Sequence, residues 1–351
     1  IKPGNKRGGS GGGGTFEKIE VVSVASSPSY SNCSPVSFTT NSGTIIELTT
    51  LPDFINSGRV FDAVNKCPAL VGTDGVTPFF LGLPNRGNYL LFNTVNNLPS
   101  WDEVMQGGIG DCNLDSLLSV AAYKIPQYLK DGIIKDPNKD HIYYVRLHYK
   151  TITNPIYVRI SALMPVDENY RGAYDNYYLE GGKPILWPYL YSKAYVVMTN
   201  YFPDFMLWGG PNMISDGYNT LNGVDGWSAQ QAIAGTISSY FVNTGSVNIS
   251  PLRQYFNNNN YIFQCGLDFT RIPTSSRYVL NNEYIILYIY SNNGILENVI
   301  LGIHAYSLFG INNSTNIVTI RNPWGESVMT DGIQRITHTK GLIDLPYSDF
   351  E

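Results

Sequence analysis

The chain has 351 residues, of which 43% are hydrophobic and only 15% are charged, and its formal net charge is −5. This length and apolar content indicate a globular protein of two or three domains. The acidic balance argues against a nucleic-acid partner. No apolar run approaches the ~20 residues that a membrane-spanning helix requires, so no membrane span is predicted.

The N-terminal part of the chain divides into a tail and a β-rich region. Residues 1–16 are dominated by glycine and predict a flexible tail. Residues 17–95 are rich in Val, Thr, Ser and Phe, and their alternation over 19–22 and 44–48 predicts strands. The Pro-Asn-Arg-Gly segment at 84–87 predicts a turn. We therefore expect a β-rich N-terminal region that packs on the rest of the protein.

The remaining chain changes from helical to strand-like patterns. We predict a helix-rich lobe over 96–210 and a β-rich lobe over 211–351. Apolar residues recur at helical spacing over 112–130, where Pro126 should end or kink the helix, and over 186–200. Strand-like segments follow one another at 142–149, 156–164, 284–290, 299–308 and 317–322.

The number and spacing of the cysteines limit which disulfides and metal sites can be expected. The chain has four widely spaced cysteines: Cys33, Cys67, Cys112 and Cys265. Because no CxxC pair is present, no zinc site is predicted and a dense disulfide framework is excluded. We expect buried free thiols, although a pairing of Cys33 with Cys67 stays open. So few cysteines fit a reducing interior, and we expect an intracellular, cytoplasmic location. Because the chain begins without methionine and stops abruptly, we also expect a processed piece of a longer polypeptide.

One cysteine stands in a segment with the features of a catalytic nucleophile. Gln106 lies six residues before Cys112, three glycines separate them, and a helical pattern begins directly after the thiol. A helix N-terminus stabilises a thiolate, and a nearby amide donor can stabilise an oxyanion. The segment therefore predicts a nucleophile at Cys112, with Gln106 and the Cys112 backbone N–H as the oxyanion hole.

A cysteine nucleophile needs a base, and the chain has 4 histidines. His141, His148 and His338 lie in charged, alternating or polar segments, where we expect exposed or half-exposed positions. His304 lies instead in an apolar run, where a neutral residue would cost less. Both a hydrogen-bonded core histidine and a catalytic base explain that position.

The segment Arg-Asn-Pro-Trp-Gly-Glu at 321–326 supplies a partner for the histidine. An Asn-rich turn before it predicts a hairpin that sets His304 beside Asn322. The asparagine oxygen could then accept an imidazole N–H and fix the ring tautomer, with Trp324 shielding the bond from water. Taken alone, the segment is also explained by a turn with a packed indole. Together with Cys112, it predicts a nucleophile, a base and an orienting residue.

These segments resemble the calpain family of papain-like cysteine proteases. The family's Q-G-x-x-G-D-C-W-L pattern is met over 106–114 except at Asn113, its G-H-A-Y-S pattern resembles 303–307, and its R-N-P-W-G-E is matched over 321–326. The resemblance covers about residues 95–351. It implies an α+β fold with a papain-like two-lobed core, in which the helix-rich lobe carries the cysteine and the β-rich lobe carries the histidine and asparagine.

The resemblance also implies an activity and its partners. It implies a cysteine endopeptidase that cleaves extended protein segments, with Gly209 and Gly210 binding the substrate backbone. Limited proteolysis or self-processing is the expected outcome. Calcium is the cofactor that the family raises, but the aligned strand over 158–162 lacks acidic ligands and no EF-hand loop is present. We therefore expect no required cofactor and no metal site, although calcium stays open as a cofactor.

Two departures keep a second function open. Asn113 replaces the family's tryptophan after the nucleophile, and Ile303 replaces its glycine before the histidine. A structural or binding component, of a viral or other assembly, would retain the fold with little activity. Degenerate relatives usually lose the nucleophile or the base, and this chain keeps both.

Overall fold

The computed structural model describes part of the chain. The described residues are 17–23, 36–39, 45–48, 59–68, 70, 79–148, 155–173, 178–202, 217–222, 226–235, 238–242, 261–267, 278–280, 284–292, 295–301, 304–312, 314–325, 327–328, 335–336 and 339–346. The α-helices within them are α1 (Cys112–Lys124), α2 (Pro126–Asp131), α3 (Trp187–Tyr201) and α4 (Gly226–Ala234). The short 3-10 helices within them are Pro84–Gly87, Trp101–Glu103, Gly217–Leu221 and Thr339–Gly341.

The strands of the described residues belong to several separate sheets. In chain order they are β1 (Glu17–Ser23), β2 (Val36–Thr39), β3 (Ile45–Leu48), β4 (Val60–Asp62), β5 (Phe80–Gly82), β6 (Ile133–Lys135), β7 (Ile142–His148), β8 (Pro155–Ser161), β9 (Met164–Val166), β10 (Leu179–Glu180), β11 (Lys183–Pro184), β12 (Ser238–Val242), β13 (Tyr261–Leu267), β14 (Tyr278–Leu280), β15 (Tyr284–Asn292), β16 (Ile295–Leu301), β17 (His304–Asn312), β18 (Ile317–Arg321), β19 (Ser327–Val328), β20 (Arg335–Ile336) and β21 (Leu342–Pro346).

The two helices predicted from apolar spacing are confirmed. Helix α1 ends at Lys124, and Pro126 opens α2 because proline fits the first turn of a helix but not its interior. Helix α3 is buried along most of its length, from Trp187 to Thr199. Helix α4 was not predicted, since strands were expected to dominate beyond residue 211.

The largest sheet has six antiparallel strands in the order β12-β1-β13-β17-β18-β21. Strand β1 therefore lies between two strands that come more than 200 residues later in the chain. Helix α1 packs on β13 and β17, and the Ser307 hydroxyl of β17 donates to the Ser116 carbonyl of α1 at 2.6 Å. This contact brings the N-terminus of α1 towards the beginning of β17.

A four-stranded sheet in the order β4-β8-β7-β6 packs against α3 and α4. Its strands β7 and β8 match the two segments predicted there, and β4 joins β8 in parallel. The helices, together with sheets that are mostly antiparallel, make this a mixed protein compatible with the α+β class. None of the helices in the described part of the chain has both the length and the apolar character of a membrane span.

The expected single strand over 299–308 is wrong. Strand β16 ends at Leu301 and pairs with β15, whereas β17 begins at His304 and pairs with β13 and β18. The apolar pattern runs through both strands, so it cannot mark where the chain changes sheet. His304 consequently stands at the first position of its strand.

Candidate active site

Cys112 is the first residue of α1, and its environment keeps the sulfur protonated. The residue is partly exposed, yet the protein atoms around the sulfur desolvate it and raise the pKa of the thiol to about 12. The backbone N–H groups of Ala305 and Asn113 face the sulfur and oppose this rise, while Asp111 and Asp115 add to it. The Ala305 contact places the thiol next to the residue that follows His304.

His304 and Asn322 meet through a hydrogen bond between their side chains. His304 Nε2 and Asn322 Oδ1 are 2.9 Å apart, and both residues are buried. Asn322 Oδ1 also accepts the Trp324 backbone N–H at 3.0 Å. Because a backbone N–H can only donate, this second bond fixes the amide orientation, and Nε2 must carry the imidazole proton. The Nδ1 atom is thereby left as the basic nitrogen of the ring.

Burial also decides the charge of the imidazole. Desolvation lowers the pKa of His304 to about 4, and the bond to Asn322 only partly opposes it. Trp324 lies at 5.4 Å from the His304 ring, centroid to centroid, and Tyr306 lies at 5.0 Å. Both aromatic rings therefore contact the imidazole edge-on. At neutral pH the site thus holds a neutral thiol and a neutral imidazole.

The loop of Asn322 is also held by the segment just before β21, the strand that pairs with β18 on the edge away from β17. Asn322 N donates to Gly341 O at 2.8 Å. Gly341 has φ +84, and a Cβ there would lie 2.6 Å from the Asn322 carbonyl oxygen. Only glycine fits this close approach with this backbone conformation.

Gln106 is anchored both to its own loop and to the loop after Asn322. Its side-chain Nε2 donates to Ile109 O at 2.7 Å, and its backbone N–H donates to Pro323 O at 2.9 Å. Within the same loop, Gly110 N donates to Asn222 Oδ1 at 2.6 Å. The glycine-rich loop before the thiol is therefore tied to the loop that carries the asparagine.

The Arg321 side chain connects α1 with the segments around Val104 and Lys340, a role that the sequence did not predict. The residue is fully buried. Its guanidinium donates to Ser119 Oγ of α1 at 3.0 Å, to Val104 O at 2.7 Å and to Lys340 O at 3.1 Å. Burial lowers its pKa to about 10, opposed by Asp102 and Asp115. The only sequence signal was its place in the Arg-Asn-Pro-Trp segment.

Two buried carboxyl groups lie beside the nucleophile, one just before α1 and one in its first turn. Asp111 and Asp115 are both buried and lie one helical turn apart. Burial raises the pKa of Asp115 well above its usual value, and the neighbouring Asp111 carboxyl, which is hydrogen-bonded to it, raises it further, whereas Arg321 opposes both. Both effects favour the protonated form of Asp115. Their spacing of four residues at the start of a helix is the sequence signal for this pair of carboxyl groups, which was not predicted.

The structure brings together most, but not all, of the predicted site. No hydrogen bond joins the described residues Cys112 and His304, although the thiol contacts the neighbouring Ala305. Gly209 and Gly210 lie outside the described residues. Within the described part of the chain, no group of three or more His, Cys, Asp or Glu side chains has an arrangement that could hold a metal ion.

The other histidines and cysteines fall into different environments. The expectation that His148 is half-exposed is wrong: it is buried, and its Nε2 contacts Tyr128 OH at 2.9 Å. His141 is partly exposed and contacts Tyr89 OH, and His338 lies outside the described residues. Cys67 is a free thiol, and its expected alternative partner Cys33 lies outside the described residues.

Comparison with known proteins gives one distant relative. No family model matches the chain. A thiol protease from Porphyromonas gingivalis is 24% identical over 253 residues, which cover 69% of this chain and 47% of that protein. The chain therefore spans about half the length of the curated relative it matches. This similarity supports a cysteine protease, and hence a hydrolase, in general terms.

Proposed function

We propose that this chain is a calpain-like cysteine endopeptidase with a papain-like two-lobed core. The observation that carries the proposal is the His304–Asn322 hydrogen bond beside the thiol at the start of α1. In this proposal Cys112 is the nucleophile, His304 the general base and then acid, and Asn322 the orienting residue. Trp324 shields the hydrogen bond between His304 and Asn322 from water.

The environment of the two reacting groups determines how the thiol is activated. Because the pKa of Cys112 is about 12 and that of His304 about 4, the resting pair is uncharged. His304 Nδ1 then takes the thiol proton as sulfur attacks the carbonyl carbon, and a preformed thiolate–imidazolium pair is not required. The same nitrogen protonates the leaving amine, and water hydrolyses the thioester.

We assign the oxyanion hole to Gln106 and the Cys112 backbone N–H. A carboxamide has two N–H hydrogens. One of those on Gln106 is directed at Ile109 O, and the proposal directs the second at the oxyanion. The bond from Gln106 N to Pro323 O supports this role, because it holds the donor in register with the loop that carries Asn322.

The proposed substrates are protein segments in an extended conformation, which would bind along Gly209 and Gly210. Such a preference leads to limited proteolysis or self-processing. The activity of the relative named a thiol protease concerns a protein of which the match covers only 47%, so the action of the whole protein is part of the proposal. No calcium requirement is proposed.

An epoxysuccinyl probe directed at cysteine proteases tests the function. We expect the wild-type protein to be labelled at Cys112 and the Cys112→Ala variant to lose that label. A casein-type substrate should be hydrolysed by the first protein and not by the second. Absence of both labelling and hydrolysis in a folded wild-type protein would refute the proposal.

A structural or binding component is the second candidate. The high pKa of Cys112 and the missing hydrogen bond between Cys112 and His304 favour it, as does Asn113 beside the nucleophile. Under this alternative, the protein would occur as a stoichiometric part of an assembly. Assembly would then be unaffected by Cys112→Ser, and no substrate would be cleaved.

A further inference from the structure

A second polar cluster lies away from the candidate active site, around the side chain of Lys193 on α3. Lys193 is fully buried. Its Nζ donates to Ser161 O at 2.7 Å, to Ser161 Oγ at 3.2 Å and to Leu163 O at 2.5 Å. The fourth neighbour is Cys67, whose sulfur lies 3.8 Å from Nζ. A buried amine is thus in contact with a thiol.

The buried amine is surrounded by neutral groups in the part of the chain that the structure describes. Within the described part of the chain, no carboxylate forms an ion pair with Lys193. Neutral oxygens therefore solvate the ammonium in place of water, which is an expensive arrangement. Burial lowers the pKa of Lys193 to about 8, although the Cys67 sulfur opposes the shift. A substantial fraction of the amine is consequently neutral, and hence nucleophilic, at mildly alkaline pH.

The thiol is placed so that a small oxidant can reach it. Cys67 is a free cysteine and is partly exposed. It follows β4, which pairs with β8, and its sulfur is also 3.8 Å from Ser161 Oγ at the end of that strand. The amine approaches from the protein interior, and solvent approaches from outside. Among the described residues, Cys112 differs from this arrangement, because its sulfur contacts the residue after His304 and no lysine.

We propose that Cys67 and Lys193 form an oxidation site at which a peroxide produces a covalent sulfur–nitrogen cross-link. In the first step, the thiol attacks one peroxide oxygen, the O–O bond breaks, and a sulfenic acid and one water form. The neutral Lys193 amine then attacks the sulfur, an S–N bond forms, and the sulfenic oxygen leaves as a second water. The thiol sulfur is oxidised by two electrons and hydrogen peroxide is reduced.

The cross-link would join distant parts of the chain. Cys67 and Lys193 are separated by 126 positions in the sequence. The bond would fasten the segment after β4 to the buried helix α3. It restricts the unfolded chain as a disulfide does, and excess thiol should reverse it by exchange at sulfur. The site does not depend on peptidase activity.

Peptide mapping after hydrogen peroxide treatment of the full-length protein tests this inference. We expect one species in which the peptides of Cys67 and Lys193 are joined with the loss of two hydrogen atoms, and which dithiothreitol separates. Its yield should rise as the pH passes through about 8, where the amine becomes neutral. The oxidised protein should also unfold at a higher temperature than the reduced protein.

Controls separate the cross-link from simple oxidation. The Cys67→Ser variant should give no joined species, and Lys193→Arg should stop at the sulfenic acid, which dimedone traps. Since the arginine variant could fail to fold, dimedone is also added to wild type during oxidation, where it should compete with the cross-link. The proposal would be overturned if Cys67 formed only a dimedone adduct or a sulfinic acid while Lys193 stayed unmodified throughout the pH series. It would also be overturned if Cys67 did not react with the peroxide.

Discussion

His304 Nε2 lies 2.9 Å from Asn322 Oδ1, across two antiparallel strands that neighbour each other in the large sheet. The Trp324 backbone N–H holds the same oxygen at 3.0 Å. The Asn322 oxygen is therefore a fixed acceptor for the Nε2–H group of His304, and Nδ1 is the nitrogen that remains for proton transfer.

Replacing this acceptor should impair catalysis without abolishing the fold. We expect Asn322→Ala to lower kcat/KM by about 100-fold, because the ring loses its tautomer and orientation. Peptide hydrolysis provides the measurement, with circular dichroism as a check of folding. Ser314→Ala, in an exposed turn of the same hairpin, is the matched control and should retain full activity. Equal kcat/KM for wild type and Asn322→Ala would contradict the role.

The oxyanion donor should affect turnover more than binding. We expect Gln106→Ala to lower kcat by roughly 100- to 1,000-fold with little change in KM, as for other oxyanion donors. The backbone bond from residue 106 to Pro323 O survives the change, so the loop should keep its position. A rise in KM with unchanged kcat would instead indicate a substrate-binding residue.

The resting charge of the nucleophile is measurable in the absence of substrate. Since the pKa of Cys112 is about 12 and that of His304 about 4, we expect no thiolate at pH 7. An ultraviolet difference spectrum between wild type and Cys112→Ser isolates this sulfur from the other cysteines. A thiolate band at pH 7 that disappears only in acid would show a preformed ion pair and contradict the neutral-pair mechanism.

The buried Asp115 carboxyl beside the nucleophile should make stability depend on pH. Burial and Asp111 raise the pKa of Asp115 in the folded protein, whereas the unfolded chain releases this proton near pH 4, to order of magnitude. The contribution to stability is therefore complete below that pH and is lost as the pH rises through the folded pKa. We expect Asp115→Asn to raise Tm relative to wild type by more at pH 7 than at pH 4.

Thermal unfolding at the two pH values checks the Asp115 prediction. Asp140→Asn, at an exposed carboxyl that pairs with Lys135, is the control and should show no such difference. If the Tm gap between wild type and Asp115→Asn is the same at both pH values, Asp115 is not the buried acid that the structure indicates.

Local sequence patterns were sufficient to predict the helices and the hairpin that carry the candidate active site. Apolar spacing predicted α1 and α3, and the Asn-rich turn predicted the hairpin that joins His304 and Asn322, because these features depend on residues close in sequence. The catalytic roles of Cys112, His304 and Asn322 stay predictions, as do the domain boundaries.

Features that depend on distant residues could not be predicted in this way. The break between β16 and β17 reflects a change of partner strand, which leaves no mark on a continuous apolar run. The contacts of Arg321 reach Val104, Ser119 and Lys340, and these residues are scattered along the chain. The burial of Lys193 beside Cys67 likewise joins positions 126 apart.

The place of β1 in the large sheet has a consequence for how the protein is made and cut. Its residues Ile19 and Cys265 face each other although they are 246 positions apart, so the ribosome must synthesise all of that intervening chain before this pairing can form. Once it has formed, β1 is held by neighbours on both edges. A cut after Ser23 would therefore leave the N-terminal peptide bound to the sheet, as a second chain of the same molecule.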